Sequence, residues 1–162
     1  MAQIIDEMDR RILAMLVKDA RTPYLEIARV CGVSGAAIHQ RVKKLEDAGI
    51  IAGASTIVKP SSIGLNVCAF IMINLSENNK YPQVIAELKR IPEIVECHFI
   101  TGRSAIMVKL YCTSNDHLMD ILLNTVQKIP FIQSTDTMIS LDEAFERQVW
   151  VADSGVEKSW KK

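Results

Sequence analysis

Between Asn66 and Leu141 six apolar segments follow one another, and the order of their periodicities leaves few folds open. Residues 66–75 (NVCAFIMINL) form a β-branched, apolar run suited to a strand mostly buried on both faces. Residues 80–91 (KYPQVIAELKRI) change to helical spacing, with Val84, Ile85, Leu88 and Ile91 inward and Pro92 as the stop. Residues 94–101 (IVECHFIT) alternate as a strand, and the pattern leaves open which face is buried. Gly102-Arg103-Ser104 is a tight turn into a strand at 105–112 (AIMVKLYC), which makes a hairpin. Ser114 caps a helix running to about Lys128, with Leu118, Ile121, Leu122, Val126 and Ile129 apolar, and Pro130 ends it. Residues 131–141 (FIQSTDTMISL) complete the set as a strand. The order β-α-β-β-α-β predicts an α+β, ferredoxin-like domain with two helices on one face of a four-stranded antiparallel sheet. Strands this apolar need cover on the other face, and no helices remain to supply it. A second copy of the chain is the expected cover, so the chain is expected to be an obligate dimer.

The first sixty residues keep a different rhythm. Apolar side chains at 5, 8, 12, 13, 16 and 17 predict a helix from Ile5 to Lys18. Thr22 as cap and Pro23 in the first turn then open a brief helix from Tyr24 to about Val30, with Leu25, Ile27, Ala28 and Val30 mostly inward. Cys31-Gly32 ends it. Ser34 caps a third helix, Val33 can staple onto its first turns, and Ile38, Val42 and Leu45 make one buried stripe before Gly49 at the C′ position. Outside remain Gly35, Ala36, His39, Gln40, Lys43 and Asp47, with Arg41 and Lys44 beside them. A short helix, a glycine turn and a capped helix with polar outer positions is the helix-turn-helix pattern. On that reading Ser34, Gly35, Ala36, His39 and Gln40 face the bases of double-stranded DNA, while Arg41, Lys43 and Lys44 face phosphate. A plain three-helix bundle solvated by lysines would show the same spacing. Residues 50–58 around Gly53 read as a strand pair or wing, and 60–64 as a linker. The expected domains are therefore 1–60, 61–142 and an extension over 143–162.

Charge and chemistry fit a binding protein. The 162 residues hold 19 basic and 19 acidic side chains, which excludes a tail gripping polyanions at random but not a local basic patch. Residues 1–60 hold nine Lys/Arg against seven Asp/Glu, a small excess of the sign a DNA-binding head needs. No two of the four cysteines have CxxC spacing, and Cys68, Cys97 and Cys112 are expected as small buried hydrophobes. His39, His98 and His117 fall on separate elements, with His98 expected in a core or interface and Glu93 and Glu96 at the surface. No P-loop, GxGxxG, HExxH or GxSxG occurs, so neither an enzyme, a metal nor a cofactor is expected. With charged residues from Asp6 to Arg11 no signal peptide is expected at the start, and no apolar run approaches the roughly 20 residues that span a bilayer. A cytoplasmic protein with no membrane partner is expected.

Together these segments resemble the Lrp/AsnC, or feast/famine, family of prokaryotic transcriptional regulators over residues 4–142. Ile5, Asp9, Ile12 and Leu13 match the family's first helix, Asp19-Ala20-Arg21 its turn and Leu25-Glu26-Ile27-Ala28 its second helix. Val33-Ser34, Val42-Lys43-Lys44-Leu45 and Gly49-Ile50-Ile51 match its recognition helix and exit. The resemblance implies a winged helix-turn-helix head and a C-terminal module that binds amino acids or related small molecules, forming dimers and often octamers of four dimers. The family's glycine between the second and third strands falls on Gly102, and its T-x-T segment on Thr135-Asp136-Thr137. Gly102, Arg103, Ser104, Thr135, Asp136 and Thr137 are thus the implied effector site. Here the chain departs from its relatives, which commonly carry acidic or aromatic residues after the glycine. The carboxylate expected near 105 is absent and a guanidinium stands at 103. Such a turn suits a ligand with an extra acidic group, or a carboxylate lacking an amine, or an Arg103 contact between dimers with Asp136 or Glu96. The implied function is a sequence-specific, effector-sensing regulator. The alternatives are an octameric, DNA-wrapping architectural protein and a sensor acting through protein contacts. Residues 143–162, with Trp150 and Trp160, run past the resemblance and are expected to be an interface arm.

Overall fold

The computed structural model describes residues 5–152. They form two compact units, one from residues up to Thr56 together with those from Phe145 onward, the other from Ile57–Ala144. Trp160 lies outside the described residues, and Trp150 is exposed.

The first unit holds α1 (Glu7–Lys18), α2 (Tyr24–Cys31) and α3 (Gly35–Asp47). Helix α1 starts two residues after Ile5 because Asp6 is its cap: Asp6 Oδ1 accepts from Asp9 N at 2.8 Å, and Asp9 Oδ2 accepts from Asp6 N at 3.1 Å. Thr22 does not cap α2. Its hydroxyl donates back to the Asp19 carbonyl at 2.7 Å, and Pro23 occupies the cap position with no side-chain bond. Ile12, Leu13, Ile27, Ala28, Ile38, Val42 and Leu45 form the core, and Val151 packs against it. Leu25 and Val30, expected inward, are 74% and 57% exposed. An eight-residue helix presents one narrow stripe, and Ile27 and Ala28 fill it. Helix α3 ends as its glycine predicts: Gly49 stands at φ 68°, and the Ile50 N–H reaches the Leu45 carbonyl at 2.9 Å. No wing strand follows. Residues 52–58 form no strand, and strand-like side chains make no ribbon without a hydrogen-bonded partner.

The second unit is a four-stranded antiparallel sheet in the order β2-β3-β1-β4, with β1 Val67–Leu75, β2 Ile94–Phe99, β3 Ile106–Cys112 and β4 Ile132–Ser140. Helices α4 (Tyr81–Leu88) and α5 (Asn115–Asn124) supply Val84, Leu88, Leu118 and Ile121 to a core shared with Ala69, Ile71, Ile73, Ile106, Val108 and Leu110. Strand β1 is fully buried on that helical face alone, and Phe70, Met72 and Asn74 on its other face are half-buried. The open face is also less apolar than expected, because β3 places Lys109 there beside Met107 and Tyr111. Of the expected buried cysteines Cys112 is buried, Cys68 half-buried and Cys97 exposed. His98 is exposed on edge strand β2, with Nε2 3.4 Å from Glu96, and not in a core. Among the described residues no helix is long and apolar enough to cross a membrane.

Candidate functional site

Two regions collect the residues that the sequence singles out. The first is α3. Ser34 Oγ accepts from the Ala37 N–H at 3.2 Å, so one acceptor of this hydroxyl is used to start the helix. Ser34, Ala36, His39, Gln40, Lys43 and Lys44 are exposed. The His39 ring lies 5.9 Å from that of Tyr24, a tilted aromatic contact that orients the imidazole at the α2–α3 junction. Gly35 is half-buried, and a Cβ there would stand 3.0 Å from Leu25 Cδ2. Gly35 thus lies against the end of the Leu25 side chain of α2, a contact the base-contact expectation did not include. Gln40, Lys43, Lys44, Asp47 and Ala48 line a shallow depression of about 330 Å³.

Arg41, expected at phosphate, is partly engaged inside the head. Its Nη1 donates to Asp6 Oδ2 at 2.6 Å and to Asp9 Oδ1 at 2.8 Å, inside the head itself. The backbone N–H of Asp9, with the Arg41 guanidinium next, holds the Asp6 carboxyl below its ordinary 3.8, and the two carboxylates hold Arg41 charged. Asp6 and Asp9 read in the sequence as wet-side residues of α1. Only their i, i+3 spacing at a helix start marks them as a capping box, and nothing local marks Arg41 as their third member.

The second region is the β2–β3 turn. The Ile100 N–H donates to the Ala105 carbonyl at 2.8 Å, and the Ala105 N–H donates to Ile73 at 3.0 Å, which ties the hairpin to β1. Gly102 stands at φ 124°, where a side chain would be strained. Beside this turn is an open cleft of about 1090 Å³, lined by Thr101, Gly102, Arg103 and Ser104, by Asn74 and Asn78, and by Gln133, Ser134 and Asp136 of β4. Phe99, Ile100, Leu75 and Ala105 give it apolar wall.

The expected T-x-T segment divides. Thr135 and Thr137 pair with Ile73 and Ile71, whose side chains lie in the helical core, so both threonines turn away from the cleft. Thr135 Oγ1 accepts from Gln127 Nε2 at 2.9 Å, and Thr137 Oγ1 is buried with no partner among the described residues. Asp136 alone of the three lines the cleft, and Asn74, Asn78, Gln133 and Ser134 join it without having been expected. For Ser134 and Asn74 the signal was the two-residue alternation: Ser134 shares the face of Asp136, and Asn74 pairs with Ser134.

The comparisons agree with this division of labour. The family profile of the AsnC-type helix-turn-helix domain matches residues 5–46, and that of the Lrp/AsnC ligand binding domain matches residues 68–150. Regulatory protein AsnC of Escherichia coli strain K12 is 42% identical over 146 residues, 90% of this chain and 96% of that one. HTH-type transcriptional regulator FL11 of Pyrococcus furiosus is 36% identical over 141 residues, 87% of this chain and 92% of the relative. The solved structure of E. coli AsnC superposes with a TM-score of 0.86 at 41% identity, covering 91% of this chain and 99% of that one. A feast or famine regulatory protein from M. tuberculosis complexed with L-methionine gives 0.85 at 25% identity, covering 92% and 100%. With a helix-turn-helix head and a ligand-binding sheet domain matched along most of its length, the chain belongs to the Lrp/AsnC family of DNA-binding, small-molecule-sensing transcriptional regulators and is not an enzyme.

Proposed function

We propose that the chain controls transcription from the cytoplasm by laying α3 in the major groove of a defined DNA site and by binding a free amino acid in the cleft beside Gly102. The observation that carries the effector reading is charge. One polar cleft holds both a guanidinium, Arg103, and a carboxylate, Asp136. A free amino acid brings the complementary pair. Arg103 offers a fork to its carboxylate, and Asp136 receives its ammonium, in place of the acidic residue missing from the turn. A carboxylate lacking an amine would leave Asp136 unanswered and suits the cleft less well. The M. tuberculosis relative that holds L-methionine supports the ligand class. The amides and hydroxyls of Asn74, Asn78, Gln133 and Ser134 favour a ligand with a polar side chain over a thioether.

The same reading includes assembly as a dimer, and as an octamer of four dimers. Phe70 and Met72 are half-buried, and Met138 is 48% exposed, on the helix-free face of the sheet, which a second copy would cover. The experiment is a thermal-shift screen of the proteinogenic amino acids, followed by calorimetry of the hit on wild type, Arg103→Ala and Asp136→Asn. At least one amino acid should stabilise the wild type, and each variant should weaken it. A hit that binds Arg103→Ala unchanged sinks the cleft as effector site. Ultracentrifugation at low micromolar concentration should show no monomer.

A further inference from the structure

Each carboxylate of the α1 capping box divides its two oxygens between different tasks. Asp6 gives Oδ1 to the Asp9 N–H and Oδ2 to Arg41; Asp9 gives Oδ2 to the Asp6 N–H and Oδ1 to the same Arg41 Nη1. The backbone bonds hold both carboxylates in place, so the guanidinium meets two oriented acceptors. Asp9 is only 5% exposed, and a carboxylate that dry needs a cationic partner. Arg41 comes from α3, 32 and 35 residues away in sequence, and lies one residue after Gln40 and two after His39.

Besides this contact α3 is seated by the apolar stripe Ile38, Val42 and Leu45 and touches α2 through the His39 ring on Tyr24. Apolar packing resists separation of helices but is non-directional, so it holds the angle about the helix axis less firmly. That angle matters for base contacts. A rotation of about 20° moves a side-chain tip about 8 Å from the axis by nearly 3 Å, more than a hydrogen bond tolerates. We propose that Arg41 is a positioning residue for DNA recognition: it fastens α3 to the start of α1 and sets the angle at which His39 and Gln40 meet the bases, instead of contacting phosphate. The proposal rests on α3 as the recognition helix.

The test separates position from charge. A duplex selected by the wild type from a randomised library, and a random duplex, are titrated across a salt series with wild type, Arg41→Ala, Asp6→Asn, the double variant and Lys43→Ala. A phosphate contact contributes about 0.9 to the slope of log K against log salt, so Lys43→Ala should lose about that much. Arg41→Ala should keep the wild-type slope, bind the selected duplex about tenfold more weakly, and bind the random duplex nearly as before. Asp6→Asn keeps a good capping acceptor but removes the exposed one of the two carboxylates that hold Arg41, leaving Asp9. It should lower the selected-to-random ratio in the same direction, and the double variant should be no worse than Arg41→Ala, because both act on one contact. A slope lowered by about one in Arg41→Ala, an unchanged ratio, or additive losses would each overturn the proposal. If Arg41→Ala melts below the assay temperature, Asp6→Asn decides: a lowered ratio supports the proposal and an unchanged one overturns it. A library that yields no enriched duplex overturns α3 as a sequence reader, and this proposal with it.

Discussion

Lys109 Nζ stands 3.6 Å from Oε2 of Glu143, on the face of the sheet that carries no helices. Glu96 lies at the same 3.6 Å on the other side, and the Tyr111 hydroxyl donates to Glu143 at 3.0 Å. Lys109 is 9% exposed. Burial opposes its charge, but Tyr111, Glu96 and Glu143 outweigh burial and raise its pKa above the ordinary 10.5. The sign is that of a raised base: its contribution is complete below 10.5 and fades only as pH climbs through the higher folded value, so neutral pH leaves it intact. Lys109→Glu would gather three carboxylates and should cost the domain about 2 kcal/mol, less than a fully buried pair because both glutamates are half exposed. Lys109→Met, which fills the same space without charge, should stay within about 1 kcal/mol of wild type. Urea unfolding measures both, and the reverse order would contradict the account.

Thr137 offers a sharper contrast with its neighbour. Its Oγ1 is buried without a partner among the described residues, whereas Asp136 lines the cleft. Thr137→Val removes an unsatisfied hydroxyl at nearly constant volume and should stabilise the domain by about 1 kcal/mol. Amino-acid affinity should not change. Loss of ligand binding in Thr137→Val, measured by calorimetry, would show that the hydroxyl serves the site after all.

The pair Thr135–Asp136 also shows how far the sequence could be read. The order of periodicities gave the four strands and both α-helices of the sheet domain, because strand and helix spacing differ over the lengths available, but it ran the second helix on to Lys128 where a 3-10 turn, Val126–Lys128, follows its end at Asn124. Ile38, Val42 and Leu45 were recoverable as one stripe for the same reason. Which strand face lines the cleft was not recoverable: alternation separates Asp136 from Thr135 and Thr137, but only the register with Ile71 and Ile73 says which side holds the helices. The contact of Arg41 with Asp6 and Asp9 was not foreseen because these partners are 32 and 35 residues distant and look locally like an ordinary helix cap. The wing failed for a related reason. Ile57 and Val58 have strand-like side chains, but a strand needs a partner, and a propensity cannot supply one.

Ile38 has no exposed surface and joins α3 to the core of the head. Ile38→Ala should cost the head about 3 kcal/mol and with it DNA binding. The sheet domain has its own core and should keep its unfolding transition. Calorimetry should therefore show one transition moving and one staying. A single transition that moves as a whole would show that the two cores unfold together.

Asp6 makes the head sensitive to acid. The Asp9 backbone N–H, with Arg41, depresses its carboxyl below 3.8, so the charged form stabilises the folded head above that value and the contribution is lost as pH falls through the lower folded pKa. Stability of the wild-type head should decline as pH drops below the ordinary value. Asp6→Asn should flatten that decline relative to wild type in a pH series of thermal melts. Parallel curves for the two proteins would remove Asp6 from the account.

The cysteines test how firmly the sheet stays closed. Cys112 ends β3 with no exposed surface, and burial first, then Glu93 and Cys68, pushes its thiol up to about 11. Cys97 is exposed on edge strand β2, and burial raises its thiol too. Alkylation requires both thiolate and access, so pKa alone would slow both residues while access separates them. In native protein at about pH 8, iodoacetamide should mark Cys97 well before Cys112, which should react only as the domain unfolds. The linkage has a definite sign. A thiol whose folded pKa is raised favours the folded state below its ordinary 9.0, and that advantage declines as pH rises from there toward 11. Cys112→Ala should therefore blunt the loss of stability between those pH values, at the expense of a small cavity at neutral pH. Mass spectrometry of timed alkylation gives the order directly. Equal rates at Cys97 and Cys112 in the native protein would mean that β3 opens on the labelling timescale, which the fully buried contacts of Val108, Leu110 and Cys112 argue against.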